Sequence, residues 1–345
     1  MKDLLKLAEK GRIPDAAIRA GIRKLLSDRL KMEKAEHSGE ERLDRLYQFI
    51  DLIKRGPVAA ATDTANEQHY EVPSEFFQTF MGPRLKYSCG FWPDADMSLL
   101  ESEEAMLELT AMRAELDDGM EILELGCGWG SLSIWMAQHF PGARITAVSN
   151  SRTQKQYIDA KGLRNLQVIT ADMNAFSAPH TYDRIVSVEM FEHMRNWPEL
   201  LHRISGWLKE EGRLFIHIFV HRELAYLFNE SGTVNWMAEH FFREGMMPAE
   251  QMLFMLNEDL LVEHHWRING RHYAKTLRAW LNAIDRNRET ALEILSANTE
   301  AEEARILLGR WRIFFMACEE LFGYREGEEW YVAHYLMKKR QLPSS

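Results

Sequence analysis

From residue 121 onward the chain alternates short apolar runs with stretches of helical length, and this alternation limits the fold more than any other feature. EILEL (121–125), ARITAV (143–148), LQVIT (166–170), RIVSV (184–188) and RLFIHIFV (213–220) read as five strands. Strands joined by helical crossovers run parallel, and helices cover both faces of the sheet they form. LLVEHHWRI (260–268) and WYVAHYLMKK (330–339) read as a sixth and a seventh strand, with a helical stretch at 300–322 before the last. The expected fold is α/β, a doubly wound, mostly parallel, seven-stranded sheet. Upstream, Pro14 opens a helix over 14–32 whose Ile18, Ile22, Leu25, Leu26 and Leu30 share one face. Leu43, Leu46, Phe49, Ile50 and Ile53 form a second stripe, and GPVAAATDTANE (56–67) reads as a linker.

Composition excludes several function classes. The net charge of −10 argues against a nucleic-acid partner. Residues 1–60 carry 14 Lys+Arg against 10 Asp+Glu, a local excess of +4. Contact of these basic helices with an anionic membrane is one reading, and a solvated helical face is the preferred one. No apolar run approaches the roughly 20 residues of a membrane span, and the charged N-terminal stretch is not a secretory signal. Cys89, Cys127 and Cys318 make no disulfide framework and no zinc spacing, so a metal is not expected and a reducing, cytoplasmic setting is. A homodimer is left open.

ELGCGWG (124–130) leaves the first strand and opens a helix. The dinucleotide fingerprint is G-x-G-x-x-G followed by an acid about 20 residues on. Here Gly126, Gly128 and Gly130 give G-x-G-x-G, and AVSNS (147–151) has no acid. There is no P-loop lysine either. A loop that need not cradle phosphate fits S-adenosylmethionine, with Glu124 available to its ammonium group. Tight strand–helix packing is the simpler alternative role for the glycines.

With these features the sequence resembles the coclaurine N-methyltransferase-like branch of the cyclopropane fatty-acid synthase family, class I methyltransferases with a Rossmann-like core. The motifs are ANEQHYEVPSEFF (65–77), LKYSCGFW (85–92), ILELGCGWGSLS (122–133), VSNSRTQ (148–154), TAD (170–172), DRIVSVEMFEHM (183–194), NGRHYAKT (269–276) and FGYREGEEWYVAH (322–334). The resemblance implies an N-terminal helical region (1–64), a cap segment lining the cofactor site (65–120) and a methyltransferase core (121–345). A helical lid insertion at about 221–260 would cover the substrate. It implies that Tyr87 and Ser88 line the cofactor pocket and that Gly126, Gly128 and Gly130 face the methionine part. Asn150 and Gln154 would lie near the ribose. Asp172 would meet the adenine, with Met173 on the ring, and an N-cap role for Asp172 is compatible with that. Trp236, Phe241, Phe242, Tyr324 and Trp330 are candidate substrate walls, suited to a cationic amine. For Phe241 and Phe242 taken singly, core packing is the preferred reading. Glu328 and Glu329 would attract a cation or be solvated.

Glu189 stands at the exit of the fourth strand, where ligands of such sheets bind. If the chain turns helical there, His193 shares its face. A carboxylate–imidazole pair can take the proton of an alkylammonium, whose pKa lies near about 10.4, and free its lone pair. By the resemblance, this position is typically glycine in the lipid-modifying members, and partners matching Cys89, Glu192, His217 and Tyr273 help hold a bicarbonate base there. In the amine-methylating members it is glutamate, as here. The expected activity is methyl transfer from S-adenosylmethionine to the nitrogen of a small amine, with Glu189 and His193 as the acid–base pair. The alternative is methylation or cyclopropanation of unsaturated acyl chains with bound bicarbonate. A buried polar network is an equal reading for Glu192, Cys89 and His217.

Overall fold

A computed structural model describes residues 2–35, 38–60, 73–228, 235–242, 245–297 and 299–341. Residues 61–67 of the expected linker, 65–72 of the first motif, and 229–234 and 243–244 of the expected lid lie outside the described residues.

Among the described residues five helices precede the sheet: α1 (Lys2–Glu9), α2 (Asp15–Ala35), α3 (Gly39–Ile53), α4 (Ser74–Gln78) and α5 (Leu99–Arg113). Reciprocal capping boxes start two of them, Ser38 with Glu41 on α3 and Ser98 with Glu101 on α5. The core then runs β1 (Glu121–Leu125), α6 (Ser131–His139), β2 (Arg144–Ser149), α7 (Arg152–Asp159), β3 (Leu166–Thr170), β4 (Tyr182–Val188), α8 (Trp197–Trp207) and β5 (Leu208–His221). The segment after β5 contains β6 (Tyr226–Leu227), α9 (Asn235–His240), β7 (Met246–Met247) and α10 (Met252–Met255). The chain closes with β8 (Leu260–Ile268), α11 (Gly270–Arg286), α12 (Arg288–Ser296), α13 (Ala301–Gly323) and β9 (Trp330–Lys339).

The seven-stranded sheet has the order β3-β2-β1-β4-β5-β9-β8. The first five are parallel, and β9 is wedged antiparallel between β5 and β8. The register sets His217 of β5 beside Val188 of β4 on one side and opposite His334 of β9 on the other. Strand five starts at Leu208, earlier than its apolar run suggests, because Leu208 pairs with Tyr182 across a register irregularity. The linker reading is corrected at its start. Val58 and Ala59 are buried, and Asn174 clamps Ala59 by accepting from its N–H and donating to its carbonyl, at 3.0 and 2.9 Å.

The N-terminal helices pack on α13. Arg19 donates to Glu319 and Glu320 and Lys10 to Glu302, so basic charge of this region is used against carboxylates of α13, while Arg312 of α13 donates back to Asp15. At the crossing, a Cβ on Gly309 would lie 1.9 Å from the Glu9 carbonyl oxygen, so only glycine lets the two backbones approach this closely. Among the described residues no helix is long and apolar enough to cross a membrane.

Candidate active site

Glu189 follows β4 with φ +48°, a left-handed conformation that costs a non-glycine residue about 1–2 kcal/mol. A short 3-10 turn over Phe191–His193 comes next. The expected α-helical i, i+4 face is therefore absent, and the backbone turn aims the Glu189 carboxylate into a ring of donors. Its Oε1 accepts from the Cys89 N–H at 2.9 Å and lies 3.2 Å from His217 Nε2. Its Oε2 accepts from the Tyr273 hydroxyl at 2.5 Å. Burial raises its pKa, while Lys86, Tyr273, the Cys89 N–H and His193 pull it back.

Glu192 has the opposite character. It is buried, and neither carboxyl oxygen has a hydrogen-bond partner among the described residues. Burial and then the Glu189 charge push its pKa well up, so of the two carboxyls Glu192 keeps its proton the more firmly. His193 is half-buried, stacks on Phe242 with centroids 5.6 Å apart at 9°, and acts electrostatically on Glu189. The Cys89 side chain points to the Gly90 carbonyl, so this residue serves the site through its backbone.

These groups open on one cavity of about 760 Å³ that Glu189, Glu192, His193 and Tyr273 line together with the glycine loop. On the loop side Tyr87, Ser88, Glu124, Gly126, Gly128, Asn150, Gln154 and Met173 all line it. Gly128 has φ +52° and nothing within 4 Å of where a Cβ would be, so its backbone is open to the cavity. Gly130 does not line it: a Cβ there would meet Ile158 at 2.6 Å, so its glycine serves helix packing. Glu124 accepts from Ser133, and burial raises its pKa to about 7 against that bond and Lys86. Ser131 Oγ, buried without a partner among the described residues, also lines the cavity. This set of open backbone, acceptor carboxylate and unpaired hydroxyl fits the amino-acid end of S-adenosylmethionine. Asp172 is displaced from the expected arrangement. It starts a turn rather than a helix, its Oδ1 accepts from the Asn174 N–H at 2.8 Å, and only its neighbours Ala171 and Met173 reach the cavity lining.

Of the expected substrate walls, Trp236, Phe242 and Trp330 line the cavity and Phe241 and Tyr324 do not. Phe241 is core, stacked on Phe314 at 4.3 Å, and Tyr324 packs edge-on against Trp330 at 5.6 Å. Glu329 is neither solvated nor a lure for cations. It is fully buried, 3.2 Å from His221 Nε2, and accepts from Arg325 at 2.8 Å. Sequence reading missed the far wall, which Leu4, Leu5, Ile18, Ile22 and Leu25 of the N-terminal helices supply with Trp280 of α11 and Phe314 of α13. An apolar stripe that faces a cavity looks the same in sequence as one that faces a core. It also missed Lys86, a buried ammonium in an apolar run, which donates to Ser88 and whose pKa burial lowers although Glu189 holds it up.

The mycolic acid cyclopropane synthetase family matches residues 59–330. The chain is 36% identical over 346 residues to (S)-coclaurine N-methyltransferase of Thalictrum flavum subsp. glaucum, covering 98% of this chain and 96% of the relative. It is likewise 36% identical over 346 residues to the (S)-coclaurine N-methyltransferase of Papaver somniferum, with 98% of both chains covered. The crystal structure of coclaurine N-methyltransferase bound to N-methylheliamine and SAH superposes with a TM-score of 0.93 at 34% identity, over 98% of this chain and 99% of that one. The chain therefore belongs to the mycolic acid cyclopropane synthetase family, and within it to the coclaurine N-methyltransferase-like branch of S-adenosylmethionine-dependent methyltransferases.

Proposed function

We propose that this protein methylates the nitrogen of a small ring-bearing amine from S-adenosylmethionine, with Glu189 receiving the proton of the acceptor ammonium. One observation carries the reading. The Cys89 N–H, the Tyr273 hydroxyl and His217, which the family resemblance assigns to bicarbonate in lipid-modifying members, are engaged by a carboxylate of the chain itself. A built-in base in that position supports amine chemistry and leaves the acyl-chain alternative without a favouring observation.

When bound, S-adenosylmethionine supplies a methyl group activated by its sulfonium. Gly128, Glu124 and Ser131 would hold its amino-acid end, with Asn150, Gln154 and Met173 along the remainder. The chain's own task is to present a neutral nitrogen. Glu189, ionised beside a protonated Glu192, draws the ammonium and takes its proton at Oε2 or Oε1. His193, half-buried and electrostatically linked to Glu189, passes that proton toward water. The aromatic side chains of Phe242, Trp236 and Trp330 suit a cation carried on an aromatic frame. An arylalkylamine or benzylisoquinoline-type acceptor matches this lining and the acceptors named for the relatives. Three buried free thiols are in keeping with a reducing, cytoplasmic setting.

The test is a mass-shift screen of arylalkylamines with the wild type, Glu189→Gln and His193→Ala, beside SAH titration. Both variants keep SAH affinity, and turnover falls about 10²–10⁴-fold for a lost acid–base group. Wild-type turnover in both variants would overturn the assignment.

A further inference from the structure

Glu189 is the end of a chain of hydrogen bonds that crosses three strands. Arg113 Nη1, at the end of α5, lies 3.0 Å from His334 Nδ1. His334 Nε2 lies 2.9 Å from His217 Nδ1, and His217 Nε2 lies 3.2 Å from Glu189 Oε1. Arg113, His334 and His217 do not line the cavity. The sheet register aligns the row: His217 is paired with Val188 and with His334, and His334 in turn with Trp266, whose ring lies 5.0 Å from the Arg113 guanidinium.

The direction of the row follows from its first member. A guanidinium donates and never accepts, so His334 Nδ1 must be the acceptor. Both imidazoles are fully buried, and burial holds them neutral with one N–H each. His334 therefore carries its hydrogen on Nε2 and gives it to His217 Nδ1. His217 in turn carries its hydrogen on Nε2 and gives it to Glu189. All three bonds point at the carboxylate. Were the row reversed, His217 would offer Glu189 a lone pair, which only a protonated carboxyl can meet.

We propose that Arg113, acting through His334, fixes the tautomer of His217 and so keeps Glu189 an ionised base. Arg113 and His334 are positioning residues, since neither reaches a reacting atom. The other groups facing Glu189 are Lys86 and the Cys89 N–H from the segment before α5, Glu192 and His193 from its own turn, Tyr273 from α11 and Cys318 from α13. Lys86 and His193 act on Glu189 directly as positive charges, and Arg113 works at the distance of two rings. His265 on β8 also acts on His334. The inference rests on the role of Glu189 proposed above.

Two measurements test it. Imidazole nitrogen–proton correlation spectra of the intact protein, assigned with single-histidine variants, are expected to show His217 and His334 both as Nε2–H tautomers. An Nδ1–H tautomer at either would overturn the proposal whatever Glu189 does in turnover. The second is the pH profile of kcat/KM. Arg113→Met and His334→Leu are expected to move its acidic limb up by about one unit, a roughly tenfold loss below the limb. Arg113→Lys, which keeps charge and donor, abolishes most of the shift. So does His334→Gln, whose carbonyl accepts and whose amide donates. A limb unmoved in both Arg113→Met and His334→Leu would overturn the proposal. If Glu189→Gln turned over like the wild type while both tautomers were as expected, the base assignment would fall and the polarised row would stand.

Discussion

Glu189→Gly separates the carboxylate from the ring of donors that holds it. The substitution suits the backbone, because φ +48° costs glycine nothing and costs glutamate about 1–2 kcal/mol. It also strands the Cys89 N–H, the Tyr273 hydroxyl and the His217 Nε2–H, each buried donor worth about 1–3 kcal/mol when left unpaired. The net destabilisation is roughly 4 kcal/mol. The variant folds, and turnover of an arylalkylamine drops about 10²–10⁴-fold with the loss of the base. The vacated donors are those that the lipid-modifying relatives are expected to offer bicarbonate, so added bicarbonate should bind there. At ten times its dissociation constant it returns about 1.4 kcal/mol of stability, read as a rise in Tm that the wild type does not show. It also restores about one to two decades of turnover, as a positioned base should. The assay is methyl transfer followed by mass, with thermal melting in parallel and bicarbonate as the titrant. The reasoning is refuted if Glu189→Gly keeps wild-type turnover, or if bicarbonate raises neither its melting temperature nor its rate.

Gly128→Ala and Gly130→Ala should fail in different ways. The first meets open space, bears only the roughly 1–2 kcal/mol strain of a left-handed residue at φ +52°, and loses SAH affinity by about tenfold or more, read by calorimetry, with a small fall in Tm. The second drives a Cβ to 2.6 Å from Ile158 and lowers Tm. Gly309→Ala must move α1 by about 1.5 Å to relieve its 1.9 Å contact with Glu9. Since Leu4, Leu5 and Ala8 of α1 line the cavity, KM for the amine should rise while SAH binding stays. For Glu250, burial raises the pKa, but nearby His265, the two hydrogen bonds from Arg267 and nearby Tyr331 outweigh it and hold it at about 2. A depressed carboxyl contributes stability above its ordinary 4.5 and loses it as pH falls through about 2. The Tm gap between wild type and Glu250→Gln should therefore be full at neutral pH and close across that acidic window.

The seven strands were legible because each is a dense apolar run bounded by turns, and β8 and β9 fall at the residues expected for them. Their pairing was not. Alternation of strands and helices implies parallel neighbours, and only the structure shows β9 reversed between β5 and β8. The proposed catalytic cluster was legible as residue types but not as partners. The spacing of Glu189 and His193 suggested a helix face, whereas the left-handed turn at Glu189 sends its carboxylate to Cys89, His217 and Tyr273. Contacts between residues 100, 28 and 84 positions apart leave no periodic trace in a single sequence. Leu25 shows the same limit from the other side. It belongs to the apolar stripe of α2 but is 39% exposed and lines the cavity.

The reversed wedge of β9 has a consequence for how the protein comes into being. Among the described residues β8 has no neighbour in the sheet other than β9, which lies about 60 residues further along the chain. A growing polypeptide therefore carries β8 as an unsatisfied edge until residues 330–339 emerge, with the aggregation risk that exposed edges bring. His334 arrives on that same strand, so a precursor short of it lacks the imidazole that neighbours His217. Closure of this sheet edge and assembly of the proposed proton-accepting centre are one event, triggered by a single segment.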